Sequence, residues 1–341
     1  MAQNESLMYF REAFFGEFLK DDHLTEIAVN RPHQLFTKSR GVWQEHEVPM
    51  TLDDCRDFAT ALASFNDDNV DDLKPILSAV LETGERCQIV MPPACERGTV
   101  SITIRKPSMQ QIPHQSYIDA GFYNRVQGKE RKTGHNDEIR ALWDTGCVPD
   151  FMEACVRYGK TMLITGGAGG GKTTYMKTLM GYLPHDLRII TIEDVPELFL
   201  FGHRNYVHLY YPAEAGANAL ITPASLLRAN FRMNPDRILL AEVRGAETWD
   251  FMKSISSGHE GGITSVHEDS PHAAIEGVIE RCYQHPECQN LPYSVLLRKV
   301  LNNIDVIASV TLDGELRRMS DIYYKDVHRE QYVKEFRHEN G

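Results

Sequence analysis

The sequence predicts an α/β protein in which a parallel sheet follows a smaller, mixed α+β unit. From Thr161 onward, short apolar segments alternate with helical patterns, which is typical of parallel strands joined by crossover helices. Before Pro107, short alternating segments surround a helical pattern, as in a small mixed domain. The length of 341 residues also suggests about two domains.

The N-terminal unit is predicted to contain a first helix and several short strands. The first twenty residues mix glutamates and an arginine with apolar side chains, which favours an amphipathic helix over a signal peptide. Residues 26–29 and 34–37 alternate as strands, and Val100–Ile104 does so again. Thr51 is a typical N-cap before a helical pattern.

These patterns predict three segments along the chain. We expect an N-terminal α+β domain over residues 1–107, a linker over 108–135 and an α/β domain over 136–341. The linker is predicted from Pro113, from its glycines and from the basic run Lys129–Lys132, none of which forms a periodic pattern.

Composition excludes several classes of protein. Lysine and arginine number 36 against 48 carboxylates, for a formal net charge of −12, so direct binding of nucleic acid is not expected. No uncharged apolar stretch approaches the ~20 residues that span a bilayer. The seven cysteines include no CxxC pair, which favours reduced structural thiols over disulfides or a zinc ribbon. We expect a cytoplasmic protein whose association with the membrane is at most peripheral.

The segment Gly166–Thr173 predicts a nucleotide site. It reads GGAGGGKT and fits G-x-x-x-x-G-K-[ST] between an apolar strand and a helical pattern. Glycines let backbone N–H groups converge on phosphate oxygens at a helix N-terminus. Lys172 would bridge the β- and γ-phosphates, and Thr173 would offer a hydroxyl to Mg²⁺. The predicted nucleotide-binding residues are Gly166, Gly167, Ala168, Gly169, Gly170, Gly171, Lys172, Thr173 and Thr174.

Acidic residues follow a second apolar strand, at residues 188–192. Acids at the carboxyl end of a parallel strand face the ligand crevice. Glu193 is therefore the first candidate for orienting or deprotonating the attacking water, and Glu197 is the second. The alternative is that these acids cap the next helix.

A third apolar strand, at residues 237–241, ends in Glu242. An acid in this position, downstream of a phosphate-binding loop, has the form of a Walker B element that holds the Mg²⁺ shell. Glu242 and Thr173 are thus the predicted metal-associated residues. The alternative is that Glu242 only pairs with Arg244 or another cation.

Two histidines flank a glycine pair in the segment 257–267. Their spacing is not the i, i+4 of a helical zinc motif, and no cysteine accompanies them. His267 at a strand end can instead donate a hydrogen bond to the γ-phosphate. Viewed singly, either His259 or His267 is better explained as a packed or solvated side chain.

Taken together and in this order, the four elements closely resemble the hexameric traffic ATPases of bacterial type IV secretion and conjugation systems. Relatives of that family are the motors of type II secretion and of type IV pili. Further matches lie at 222–228 and 233–237, and the N-terminal half matches mainly at 104–108. Departures are Gly170 where a serine is common and Ser265 where a threonine is usual.

The resemblance implies a homo-hexameric ring with a RecA-like motor domain and nucleotide between the two domains. Inner-membrane channel components and a coupling ATPase are the implied partners. In the family, arginines of the N-terminal domain reach the phosphates. Arg105 matches best, whereas Arg131 and Arg140 are candidates without an alignment. The implied catalytic residues are Glu193, Glu242, His267 and Arg105.

The leading hypothesis is Mg²⁺-dependent ATP hydrolysis that powers pilus assembly or transport of a protein–DNA substrate. A type II secretion or pilus retraction motor is the alternative among enzymes. A nucleotide-gated docking scaffold with little turnover is the alternative from another class. A DNA translocase would have RecA-like chemistry but fits the net charge of −12 poorly.

Overall fold

The computed structural model describes residues 2–107, 111–124, 126, 135–214 and 219–339. Two sheets organise these residues. The first sheet and its helices are called the N-terminal unit below, and the second sheet with its helices is called the C-terminal unit.

The N-terminal unit is an antiparallel sheet with the strand order β3-β2-β1-β6-β5-β4. Two helices pack on it, with Phe15 of the first 5.1 Å from Phe58 of the second between ring centroids. The Thr51 hydroxyl accepts from the Asp54 amide, which confirms the predicted N-cap. The elements are α1 (Ala2–Lys20), β1 (Glu26–Arg31), β2 (Gln34–Ser39), β3 (Val42–Glu47), α2 (Leu52–Phe65), β4 (Ile76–Val80), β5 (Arg86–Val90) and β6 (Ser101–Arg105).

The C-terminal unit contains a second sheet with the order β13-β12-β7-β11-β10-β8-β9, in which only β13 runs antiparallel to its neighbour. Its strands are β7 (Met162–Thr165), β8 (Ile189–Glu193), β9 (Tyr206–Tyr210), β10 (Arg237–Leu240), β11 (Ile263–Val266), β12 (Val306–Asp313) and β13 (Leu316–Tyr324). The helices from the start of the predicted linker onward are α3 (His114–Asp119), α4 (His135–Asp144), α5 (Val148–Arg157), α6 (Lys172–Met180), α7 (Pro223–Asn230), α8 (Glu247–Ser256), α9 (Pro271–Tyr283), α10 (Tyr293–Asn303) and α11 (Lys325–Glu339).

This architecture confirms the predicted fold class of an α/β domain with a smaller α+β unit before it. The strands β7, β8 and β11 are fully buried, and β10 is buried from Ile238 to Leu240, which explains why they read as continuous apolar runs. The bounds 1–107, 108–135 and 136–341 stay predictions. The stretch 108–135 holds the short helix α3, and its Arg131 and basic run 129–132 lie outside the described residues.

A buried arginine joins the two units. Arg188, directly before β8, is fully buried, and its Nη1 donates to Asn30 Oδ1 and Asn205 Oδ1 at 2.7 Å each. Its Nε donates to the Met233 carbonyl at 3.0 Å and its Nη2 to Thr103 Oγ1 at 3.2 Å. Burial lowers the pKa of Arg188 to about 10. These bonds fix the N-terminal unit against the β8–β9 edge of the second sheet.

The structure allows the predictions made from cysteine content and from hydrophobicity to be examined. All seven thiols are free, as predicted, and six are buried. Burial raises the pKa of Cys55, Cys155 and Cys282 to about 12. Within the described ranges, no helix is both long and apolar enough to cross a membrane.

Candidate nucleotide-binding site

A cleft of about 460 Å³ lies at the carboxyl edge of the second sheet. Because parallel strands end at one edge, the residues that follow β7, β8, β10 and β11 meet there. The predicted loop contributes Gly169, Gly171, Lys172, Thr173 and Thr174 to the lining. Four elements that are far apart in sequence therefore form one site.

The loop folds around the Lys172 ammonium group. Gly171 is the N-cap of α6 and has φ of +94°, a left-handed conformation that glycine adopts without strain. Lys172 Nζ donates to the Gly166 carbonyl at 2.8 Å and to the Gly167 carbonyl at 3.2 Å. Burial lowers the pKa of Lys172, and the charge of Glu242 opposes that shift. The arrangement holds a positive charge at the start of the helix, where phosphate binds.

His267 connects the loop to the Walker B strand. Its Nε2 lies 2.9 Å from Glu242 Oε1, and its Nδ1 lies 3.0 Å from Lys172 Nζ. A carboxylate only accepts and an ammonium only donates, so these partners fit a neutral imidazole with its proton on Nε2. His267 can therefore transmit a change at the Lys172 ammonium to the Glu242 carboxylate.

An ion-pair network extends from Glu242 to the loop after β8. Arg244 Nε donates to Glu242 Oε2 at 2.9 Å, and Arg244 Nη1 donates to Asp194 Oδ2. Burial would lower the pKa of Arg244, but the hydrogen bonds to Asp194 and Glu242 outweigh burial and raise it. Glu242 thus lines the cleft and also pairs with Arg244, and its role at Mg²⁺ stays a prediction.

The Glu193 side chain does not point into the cleft, where its predicted role at the attacking water would require it to be. It is fully buried and does not line the cleft. One oxygen accepts from Thr191 Oγ1 at 2.6 Å, and the other accepts the backbone N–H groups of Glu197 and Leu198 at 2.7 Å each. The carboxylate holds the chain after β8 in place. Glu197, the second candidate, is exposed and lines the cleft. A role for Glu193 at the water stays a prediction, and this geometry favours Glu197.

Of the predicted arginines, Arg105 and Arg140 lie in the described part of the chain, and neither lines the cleft. Arg105, at the end of β6, is exposed and its Nε lies 3.8 Å from Glu26 Oε1. It faces a smaller cavity that is also lined by Phe231. Arg140 pairs with Asp144 on α4 at 2.9 Å. Catalytic contact by Arg105 stays a prediction that requires an arrangement other than this single chain.

His259, Ala168 and Gly170 do not line the cleft. His259 Nδ1 donates to the Pro235 carbonyl at 3.0 Å, which makes it a packed side chain. Ala168 is exposed in the loop. Gly170 is buried, and a Cβ there would lie 3.2 Å from the Val310 carbonyl oxygen.

Sequence reasoning missed the β12–β13 hairpin, which packs against the loop from the other side. Arg317 of β13 lines the cleft, as do Lys177 and Asp194. A Cβ on Gly171 would lie 2.6 Å from Arg317 Cδ. The signal for the hairpin was present, because Asp313-Gly314 between two strand-like runs favours a tight turn. Nothing in the local pattern marked Arg317.

The chemistry of the donor set fits Mg²⁺ bound together with phosphate. The Thr173 hydroxyl and the carboxylates of Glu242 and Asp194 line the same cleft. In the described part of the chain, no group of three His, Cys, Asp or Glu side chains could hold a metal ion. Mg²⁺ commonly uses one or two protein oxygens and takes the rest from water and substrate phosphates. Thr173 and Glu242 would hold it here.

Comparisons with known proteins give matches that cover most of the residues of this cleft. Residues 146–284 match the model of a family described as type II/IV secretion system protein. The chain is 42% identical over 314 residues to the type IV secretion system protein VirB11 of Brucella abortus (strain 2308), covering 90% of this chain and 87% of that protein. It is 43% identical to PtlH of Bordetella pertussis (strain Tohama I), covering 91% and 92%.

A solved structure shows the same fold. It is the VirB11 ATPase from the Brucella suis type IV secretion system in complex with sulphate, with a TM-score of 0.89 and 38% identity over 97% of this chain and 98% of that one. The chain belongs to the VirB11 family of type IV secretion ATPases. The resemblance drawn from the four motifs is thereby confirmed for this VirB11-family chain, and the similarity includes the N-terminal unit.

Proposed function

We propose that this VirB11-family chain hydrolyses ATP with Mg²⁺ and that the hydrolysis drives a type IV secretion apparatus. The observation that carries the proposal is the connected set Lys172, His267 and Glu242, which joins the phosphate-binding loop to the Walker B strand at 3.0 and 2.9 Å. A purely glycine-rich turn would not need this network. Family membership supports the role in secretion.

The residues suggest a division of labour in the reaction. The Lys172 ammonium would neutralise the β- and γ-phosphate oxygens, and Thr173 with Glu242 would hold Mg²⁺, which spreads the charge that develops on the phosphates. Water would attack the γ-phosphorus in line as the bond to the β,γ-bridging oxygen breaks. Glu197, which is exposed and lines the cleft, would orient that water. His267 would register loss of the γ-phosphate through Lys172 and Glu242.

The assembly and partners are also part of the proposal. A ring-shaped homo-hexamer would dock on inner-membrane components and on a coupling ATPase, and would power pilus assembly or transport of a protein–DNA substrate. The chain would act in the cytoplasm, peripherally at the inner membrane. The support is the similarity to VirB11 and PtlH along nine-tenths of the chain. We expect no stimulation of turnover by DNA, because the net charge is −12.

The test is steady-state hydrolysis of ATP by the purified full-length chain with Mg²⁺. We expect measurable turnover by the wild type and none by Lys172→Ala. Lys334→Ala should keep the wild-type rate, because this substitution removes the same charge from an exposed position on α11. Nucleotide binding by the wild type without measurable hydrolysis would replace the motor with a nucleotide-gated scaffold. Particle images with a bound nucleotide analogue would show whether a six-membered ring forms.

A further inference from the structure

We propose that Arg317 on the β12–β13 hairpin is a nucleotide-binding residue. Its guanidinium group would contact the α-phosphate side of ATP and ADP, across the loop from Glu242 and His267. The inference rests on the proposed function, because it takes the cleft at Lys172 to be the nucleotide site.

Arg317 lies directly on the phosphate-binding loop. Its side chain runs past Gly171, where a Cβ would lie 2.6 Å from Arg317 Cδ and 2.9 Å from Arg317 Nε. Gly171 is the N-cap of α6, so the guanidinium group is held at the end of the helix that attracts anions. The same cleft contains the cationic side chains of Lys172 and Lys177.

The charge of Arg317 is not neutralised within the part of the chain that the structure describes. No hydrogen bond or ion pair of its side chain is formed there, in contrast to the other arginine of the cleft, Arg244, which pairs with Glu242 and Asp194. The cleft also contains the carboxylates of Asp194, Glu197 and Glu242, but Arg317 forms no ion pair with any of them. A polyphosphate would supply an anionic partner for Arg317, and an arginine fork matches phosphate oxygens well.

The strand order shows which part of a nucleotide Arg317 would meet. β12 and β13 lie on one side of β7, whereas β11, β10 and β8 lie on the other. The γ-phosphate belongs on the second side, because Glu242 and His267 follow β10 and β11. A nucleotide that crosses the loop then has its α-phosphate and nucleoside towards the hairpin. Arg317 would therefore contact the portion that ATP and ADP share.

The hairpin is packed closely enough to hold this position. The Val310 carbonyl of β12 would lie 3.2 Å from a Cβ on Gly170, so the strand touches the loop backbone. In the hairpin register, Arg317 lies opposite Leu312 and Arg318 lies opposite Thr311. Successive strand residues point to opposite faces, so Arg318 points away from Arg317. Arg318 Nε lies 3.4 Å from Asp313 Oδ2, which makes it a matched control of equal charge.

The experiment measures the dissociation constants of ADP and ATP, with Mg²⁺, for the full-length chain and its variants. We expect Arg317→Ala to weaken ADP and ATP by the same factor, about tenfold, because a charged hydrogen bond to the shared portion is lost. Arg317→Gln, which keeps most of the side-chain length, should weaken both as well. Arg318→Ala should leave both constants unchanged.

Three results would overturn the proposal. Unchanged affinities in Arg317→Ala would show no contact, and a loss for ATP alone would place Arg317 at the γ-phosphate. An equal loss in Arg318→Ala would indicate a general effect of surface charge. Circular dichroism checks that the variants fold. If Arg317→Ala does not fold, the dissociation constants of Arg317→Gln test the proposal instead. Failure of the proposed function would look different, because the wild type would then bind nucleotide without hydrolysing it, or would bind none at all.

Discussion

Replacing Glu193 distinguishes a structural carboxylate from one that acts on water. The Glu193 side chain is buried and accepts three hydrogen bonds, from the Thr191 hydroxyl and from the N–H groups of Glu197 and Leu198. Glu193→Ala would remove the acceptor of all three. Glu193→Gln would keep one oxygen for the two N–H groups and present its amide to the Thr191 hydroxyl, which can also accept.

The structure allows the two effects to be estimated. An unsatisfied buried N–H costs about 1–3 kcal/mol, so the two N–H groups in Glu193→Ala together cost about 3 kcal/mol. That corresponds to a fall in Tm of roughly 6–12 °C for a domain of about 200 residues. In Glu193→Gln the acceptor is kept but loses its charge, and the expected cost is about 1 kcal/mol.

Calorimetry and steady-state kinetics test this estimate together. We expect the Tm to fall in the order wild type, Glu193→Gln, Glu193→Ala, with kcat of the glutamine variant reduced less than tenfold. Glu197→Gln is the matched variant. It should leave the Tm unchanged and lower kcat by about 10²-fold, which is the lower end of the range for the loss of a general base. A glutamine variant at position 193 with wild-type Tm and ADP affinity, but kcat lowered a hundredfold, would refute the reasoning and restore Glu193 as the residue at the water.

Three further predictions concern other parts of the molecule. His267→Ala should lower kcat at least tenfold and leave the ADP dissociation constant within twofold, because it removes the link between Lys172 and Glu242; a large loss of ADP affinity would contradict this role. Arg188→Lys should lower the Tm by several degrees, since a single ammonium cannot replace the guanidinium bonds that span the two units; an unchanged melting curve would show that these bonds are dispensable. A thiol reagent at pH 8 should modify only Cys147 in the native chain and all seven thiols in urea, because the other six are buried; fast reaction of a second native thiol would argue against that packing.

Much of the site could be predicted because each motif is local. The loop at Gly166–Thr173 carries its own backbone requirements, and it lies where the pattern placed it. Glu242 and His267 could be placed at one edge because buried parallel strands end together, which requires only that the strands be recognised. The sheet order brings these residues together, and His267 then lies 2.9 Å from Glu242 and 3.0 Å from Lys172.

Other features depend on packing that no local pattern records. The strand-end rule places Glu193 at the correct edge but does not say whether its carboxylate turns to the cleft or to the backbone after it. The N–H groups of Glu197 and Leu198 decide that, and they become available only because the following chain folds back. Arg188 reads as a charged residue before a strand, and it is buried only because the N-terminal unit covers it.

The β12–β13 hairpin explains why residues 170 and 171 of the loop are glycines. A Cβ on Gly170 would lie 3.1 Å from the Gly167 carbonyl oxygen and 3.2 Å from the Val310 carbonyl oxygen, tighter than ordinary van der Waals contact. At Gly171 the same atom would meet Arg317 as well as a left-handed φ. A serine at position 170 would therefore need the hairpin to move back by a few tenths of an ångström. In this chain the hairpin lies directly against the loop. The same close contact therefore requires a small residue at position 170 and brings Arg317 to the loop at Gly171.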